Sequence, residues 1–286
     1  MKQTQRKIIY IMGAGRSGTT LLDIALGNAK GIFSCGELNR YPLRKGIPTG
    51  FKHAPERTHF WRRFTQKFEA THNLEEQIQL HRDFEYHSGL IKKIFGWKQK
   101  SKYKKYQQYL RDFHEELFDS IEEEVIVDSS KYPGRALAIS ESLAYEIGYV
   151  FIKRDPVGVV YSFAKKNTYL PSKGWFSANI YYLMVNVLCQ YASRKLRKKH
   201  LVVEIKYEEF IQNPEKVLTQ IGEKLELDLS ESVRLIQNDE FLKVGELFEG
   251  NTIRIDPEIK LRREGPIYPK NLKNGVTRMI NCLIYK

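Results

Sequence analysis

The stretch from Lys7 to Leu22, KIIYIMGAGRSGTTLL, constrains this chain more than any other, because it runs an apolar strand into a glycine-rich turn and then into a helix start. Ile8, Ile9, Ile11 and Met12 read as a buried parallel strand. Gly13, Gly15 and Gly18 let the backbone turn tightly and bring its N–H groups close to an anion. Thr19 and Thr20 add hydroxyl donors where unpaired amides and the helix dipole already favour negative charge. The spacing is that of a Walker A loop, with four residues between Gly13 and Gly18, yet Thr19 stands where the lysine belongs and the cation has moved to Arg16. Without that lysine nothing reaches the β and γ phosphates of a nucleoside triphosphate, which speaks against an NTPase.

The 286 residues suffice for one large α/β domain, and no low-complexity linker or internal repeat divides them, so a single domain over 1–286 is expected. A formal charge of +13 implies an anionic partner. The three cysteines, Cys35, Cys189 and Cys282, have no metal-type spacing, and the seven histidines form no HExxH pairing. A reducing, cytoplasmic setting and no metal are expected. The first apolar run ends at Met12 and enters the glycine loop, which excludes it as a signal peptide or anchor.

Apolar runs at Ile32–Cys35, Val125–Val127, Tyr149–Lys153 and Leu201–Ile205 alternate with helical stretches at Pro133–Tyr145, Pro156–Lys166 and Pro214–Leu225. This alternation predicts a mostly parallel sheet of about five strands covered on both faces, a P-loop-like three-layer α/β fold with ligands at the carboxyl ends of the strands. Residues 41–124 lack an apolar strand and read as a mostly helical insertion; 245–286 read as a C-terminal lid or tail. Gly174–Ser193 carries no charge and is long enough to span a bilayer, but Ser177, Asn179, Asn186, Gln190 and Ser193 interrupt it. The stripe Phe176, Ile180, Leu183, Met184, Val187, Leu188 and Tyr191 predicts instead a core helix buried on that face, with Arg194, Lys195, Arg197, Lys198 and Lys199 at its negative end.

Four further segments present polar groups where a ligand belongs. In YVFIKRDPVGVVYSFAKKN a strand delivers Arg154 at its end, and the following helix carries Ser162 and, one turn on, Lys166. Arg154 offers a bidentate fork to phosphate and Ser162 a further donor. SCGELNRYP places Glu37 after the second strand, either as a base raised in pKa by burial or as an ion pair with Arg16 or Arg40. VIVDSSK ends on Asp128, Ser129, Ser130 and Lys131, with Asp128 readable as a magnesium ligand. Tyr207 follows the fifth strand, and GNTIR ends on Arg254, with Arg262 and Arg263 beyond.

Strand, loop, Arg16 and the paired threonines together resemble the 5′-phosphosulfate loop of the sulfotransferases that use 3′-phosphoadenosine 5′-phosphosulfate (PAPS), particularly the RSGTT branch, which includes the tyrosylprotein enzymes and many bacterial members. The resemblance spans about Lys7 to Arg254 but leaves 41–124 without a match. It implies that Gly15, Arg16, Ser17, Gly18, Thr19 and Thr20 cradle the phosphosulfate, that Arg154 and Ser162 hold the 3′-phosphate with Lys166 facing the same anion, and that Tyr207 lies near the adenine. It further implies Glu37 as catalytic base, Lys131 and Arg16 as stabilisers of charge, and Arg254, with Arg262 and Arg263, as lid contacts to the donor. The histidine usual before the lid element is absent; position 246 is Glu. Should Glu37 be structural, His53 or His59 would be the base. The implied reaction is in-line transfer of a sulfuryl group from PAPS to a hydroxyl of a glycan, lipid, phenol or peptide tyrosine, leaving adenosine 3′,5′-bisphosphate. Two rivals stand beside it: a small-molecule kinase using ATP and magnesium, and a non-catalytic module that binds an acidic polymer through Lys92–Tyr106, a run of seven lysines interleaved with Phe95, Trp97, Tyr103 and Tyr106.

Overall fold

Five parallel strands carry the fold: β1 (Lys7–Gly13), β2 (Ile32–Gly36), β3 (Val125–Lys131), β4 (Glu146–Lys153) and β5 (Val202–Lys206), in the order β2-β3-β1-β4-β5. The computed structural model describes residues 6–96, 99–165, 172–264 and 275–285. Alternating side chains feed two cores. Ile8, Tyr10 and Met12 of β1 join Ile147, Tyr149 and Phe151 of β4 on one face, while Ile9, Ile11, Val150 and Ile152 point to the other. The second face is covered by α1 (Thr19–Gly27), α9 (Tyr207–Gln212), α10 (Pro214–Leu225) and α11 (Ser230–Gln237). The first is covered by α2 (His59–Glu69), α3 (Leu74–Phe84) and α5 (Lys100–Asp119) of the 41–124 stretch, together with α6 (Pro133–Ser142), α7 (Pro156–Ala164) and α8 (Trp175–Leu196), while α4 (His87–Ile94) packs on α3 and α6. The expected three-layer α/β architecture is therefore present. After α11 the chain forms a short antiparallel pair, β6 (Leu242–Lys243) with β7 (Glu258–Ile259), and ends in α12 (Gly275–Ile280), which continues as a π turn over Asn281–Tyr285.

Tertiary pairing moved several boundaries. β3 runs on through Asp128 to Lys131, because after a register shift Lys131 still pairs with Met12 of β1, and β4 begins at Glu146 because that residue pairs with Lys7, so α6 stops at Ser142. The expected stripe of α8 is only partly the buried one: Leu188 is buried and Leu183, Met184 and Tyr191 are half-buried, but Phe176, Ile180 and Val187 are 63, 51 and 48 % exposed, and Ala178, Asn179, Tyr182, Val185, Asn186, Cys189 and Ala192 carry the face against the core. Asn179 and Asn186 donate to the carbonyls of Trp175 (3.0 Å) and Tyr182 (2.8 Å) one turn back, and Asn179 Oδ1 accepts from Thr277 (3.1 Å), which lowers the cost of burying groups that looked like surface residues. Among the described residues no helix is long and apolar enough to cross a membrane.

A buried ionic knot fastens the helical stretch to the sheet. Arg135 of α6, 2 % exposed, donates to Glu85 (2.7 Å) at the end of α3 and to Asp128 (2.9 Å) of β3. Tyr106 and His81 also hold the Glu85 carboxylate, at 2.6 and 2.7 Å. Asp128 is thereby fully buried and committed to Arg135 and Ser130, so it is not placed as a magnesium ligand.

Candidate active site

β1 and β4 are neighbours whose connections leave in opposite directions, which opens a crevice at their carboxyl ends. The glycine loop fills one side of it. A Cβ on Gly13 would stand 2.6 Å from the Ile152 carbonyl, so only glycine lets β1 turn this close to β4. Gly18 adopts φ +89°, and a Cβ there would come within 2.3 Å of the Tyr207 ring, which explains why the ring of α9 can cover the loop. Arg16 also holds a left-handed backbone, φ 71°. Gly15 N–H donates to the Tyr181 hydroxyl (3.0 Å), and the Thr20 hydroxyl accepts from Asn251 N–H (3.0 Å).

Across the crevice, Arg154 at the end of β4 is 8 % exposed, donates to the Arg16 carbonyl (2.8 Å) and lies over the Tyr207 ring at 4.3 Å. A cavity of ≈ 2040 Å³ joins these groups. Its lining brings together Gly15, Arg16, Gly18, Thr19, Thr20, Glu37, Lys131, Arg154, Ser162, Tyr207, Arg254, Arg262 and Arg263, residues more than two hundred positions apart in sequence. Ser17 lies beneath the loop, with a buried hydroxyl that has no hydrogen-bond partner among the described residues. Lys166 falls outside the described residues.

Glu37 and Lys131 meet directly. The Lys131 ammonium donates to Glu37 Oε1 and Arg40 Nε lies 3.5 Å from Oε2, while Glu37 itself is 7 % exposed. Burial pushes the Glu37 carboxyl up, but Lys131 and Arg40 pull it down further, so it sits below the ordinary glutamate range. The expected upward shift is therefore reversed. The ion pair involves Arg40, as one sequence reading had it, and adds Lys131, which that reading did not foresee. Lys131 is held there by a left-handed backbone, φ 74°.

Arg254, 4 % exposed, bonds Thr49 O (2.7 Å) and Glu249 (2.9 Å) through one nitrogen, leaving Nε and Nη1 buried without a partner among the described residues. The segment before it is stitched inward: Phe248 N–H donates to Cys35 O (2.9 Å), and Glu37 N–H to Glu249 O (3.0 Å). Arg263 reaches Glu215.

Beside Arg40, the cavity around Glu37 and Lys131 is lined by His87, Tyr132 and Tyr181, which sequence reasoning did not single out. His87, at the start of α4, lies 4.7 Å from the Tyr132 ring, and burial pushes its imidazole down to about 4. No motif marks it, since it belongs to the unmatched 41–124 stretch. His53 and His59 are exposed and do not line the cavity. In the lysine-rich run, Lys93, Lys102 and Lys105 pair with Glu141, Asp83 and Glu76, Tyr106 is buried, Tyr103 is half-buried and Phe95 is exposed; Trp97 lies outside the described residues.

Among solved structures, the sulfotransferase domain from the curacin biosynthetic pathway is similar at TM-score 0.53 and 15 % identity, covering 97 % of each chain. The sulfotransferase domain of the Synechococcus PCC 7002 olefin synthase aligns at TM-score 0.49 and 19 % identity, over 99 % of this chain and 96 % of that one. No curated protein sequence matches. A sequence model described as the sulfotransferase family covers residues 9–231, which takes in the glycine loop, Glu37, Lys131, Arg154 and Tyr207. By that match over most of its length, the chain belongs to the sulfotransferase family.

Proposed function

We propose that the chain transfers a sulfuryl group from PAPS to a hydroxyl acceptor. The observation that carries this reading is the pairing, across one crevice, of a loop without a Walker lysine and a strand-end arginine beside an aromatic ring. Two separate cationic subsites suit a donor with phosphate on both sides of its ribose. The groups present fit such a donor: a glycine-walled loop and the unfilled donors of Arg254, which lines the cavity. The phosphosulfate bond supplies the energy of the transfer.

The residues of the chain bind, align and move one proton. Gly15 to Thr20 and Arg16 receive the phosphosulfate; Arg154 and Ser162 receive the 3′-phosphate. Lys131, drawn towards a donor phosphate, neutralises charge on the leaving group. Glu37 then retains Arg40 alone and becomes a stronger base for the acceptor proton.

Thermal unfolding tests the donor. Adenosine 3′,5′-bisphosphate should raise the melting temperature well above the shift given by AMP or by ATP with magnesium, because it alone offers a phosphate to each subsite. Equal shifts with AMP would remove the 3′-phosphate assignment, and a preference for magnesium ATP would favour the kinase.

A further inference from the structure

Exposed apolar side chains are not spread evenly over this protein. Of the eleven large ones exposed among the described residues, six lie on two adjoining helical segments: Phe176, Ile180 and Val187 on α8, and Val276, Met279 and Leu283 on α12 and its π turn. The segments pack together through Thr277, whose hydroxyl bonds Asn179 (3.1 Å), and through Ile280 and Ile284, which enter the core that α8 shares. The α8 residues share one stripe with half-buried Leu183 and Tyr191, and the stripe ends seven residues after Val187 in exposed Arg194, beside exposed Lys195. Exposed Arg278 interrupts the apolar row of α12. Apolar surface bordered by cations on a helix pair is the pattern of a segment that lies in the plane of a bilayer interface.

We propose that this α8/α12 face docks the protein on an anionic membrane surface. Arg194, Lys195 and Arg278 provide charge complementary to acidic lipid headgroups, and the formal charge of +13 adds long-range attraction. The same net charge on both partners opposes a second copy across this face. α8 leaves the rim of the large cavity at Lys173, three residues before Phe176, so docking sets that rim close to the bilayer. An acceptor hydroxyl carried at the membrane surface follows from docking only if the sulfuryl-transfer reading holds; docking itself does not depend on it.

The test is flotation of the full chain with phosphatidylcholine vesicles, with and without phosphatidylserine, at low and physiological salt. Binding is expected with the acidic lipid and should weaken with salt. A Phe176→Ser, Ile180→Ser, Met279→Ser variant and an Arg194→Glu, Lys195→Glu variant should each lower partitioning by about tenfold or more, with unchanged thermal unfolding. Adenosine 3′,5′-bisphosphate binding, measured in parallel without vesicles, reports on the function reading alone. No flotation by the wild type, or undiminished flotation by both variants, overturns the proposal. A concentration-dependent dimer that the apolar variant abolishes overturns it in favour of a second copy.

Discussion

Arg16 and Lys131 hold left-handed backbone conformations at the cavity, a strain of about 1–3 kcal/mol at each non-glycine residue that the surrounding packing must offset. What the strain achieves is placement: one cation over the Phe163 ring at 5.4 Å, the other beside Glu37. Because that carboxylate is already ionised and paired, its value as a base depends on Lys131 being drawn elsewhere, and Glu37→Gln separates the roles. Turnover should fall about a hundredfold or more while adenosine 3′,5′-bisphosphate still binds. Nearly normal turnover, with a lowered melting temperature, would make Glu37 structural and turn attention to His87, whose depressed imidazole stays neutral above about pH 4. Arg154 raises a similar ambiguity, since it braces the loop through the Arg16 carbonyl as well as facing the cavity. Arg154→Ala should weaken adenosine 3′,5′-bisphosphate by about 1.5–3 kcal/mol in calorimetry and AMP by much less. Equal losses for the two nucleotides would show that it acts only by bracing.

At the scale of elements, the helical stretch α2–α5 reaches the site through its fastening to the sheet, and Arg135 is the centre of that fastening. Removing it strands two buried carboxylates, so Arg135→Met should cost about 3–5 kcal/mol at neutral pH in urea unfolding. The sign of its pH dependence follows from Glu85. Burial pushes that carboxyl up, yet Arg135 and His81 hold it at about 2, below the ordinary value of 4.5. Its contribution is thus fully present above about pH 4.5 and is lost as pH falls towards 2. In the variant both Glu85 and Asp128 take up protons more readily, so the stability gap to wild type should narrow on acidification. A gap independent of pH would mean that Arg135 matters through packing alone. α8 belongs to the same scale: part of its apolar stripe, Phe176, Ile180 and Val187, faces outward, while Asn179 and Asn186, each donating to a carbonyl one turn back, lie on the buried face.

Over the whole molecule, residues 246–256 act as a strap that bonds β2, α1 and the 41–124 stretch at once, through Phe248 to Cys35, Asn251 to Thr20, and Arg57 to Arg254 O (3.0 Å). The strap and the loop wall the same cavity, so binding of adenosine 3′,5′-bisphosphate should slow amide exchange across 248–256 about tenfold or more; unchanged exchange there would detach the strap from the donor site. The sequence alone determined the layered α/β fold, because alternating apolar runs and helices have few other ways to bury both faces of a parallel sheet. It also determined the glycine loop and Arg154, since a tight turn at a helix start and a cation at a strand end are local patterns read from contiguous residues. The pairing of Glu37 with Lys131, the entry of His87 and Tyr181 into the wall, and the outward turn of Phe176, Ile180 and Val187 on α8 were decided only by tertiary structure. Each depends on which distant surfaces meet, and the charge on Glu37 in particular depends on Lys131, 94 residues away in the chain, a separation that no local pattern encodes.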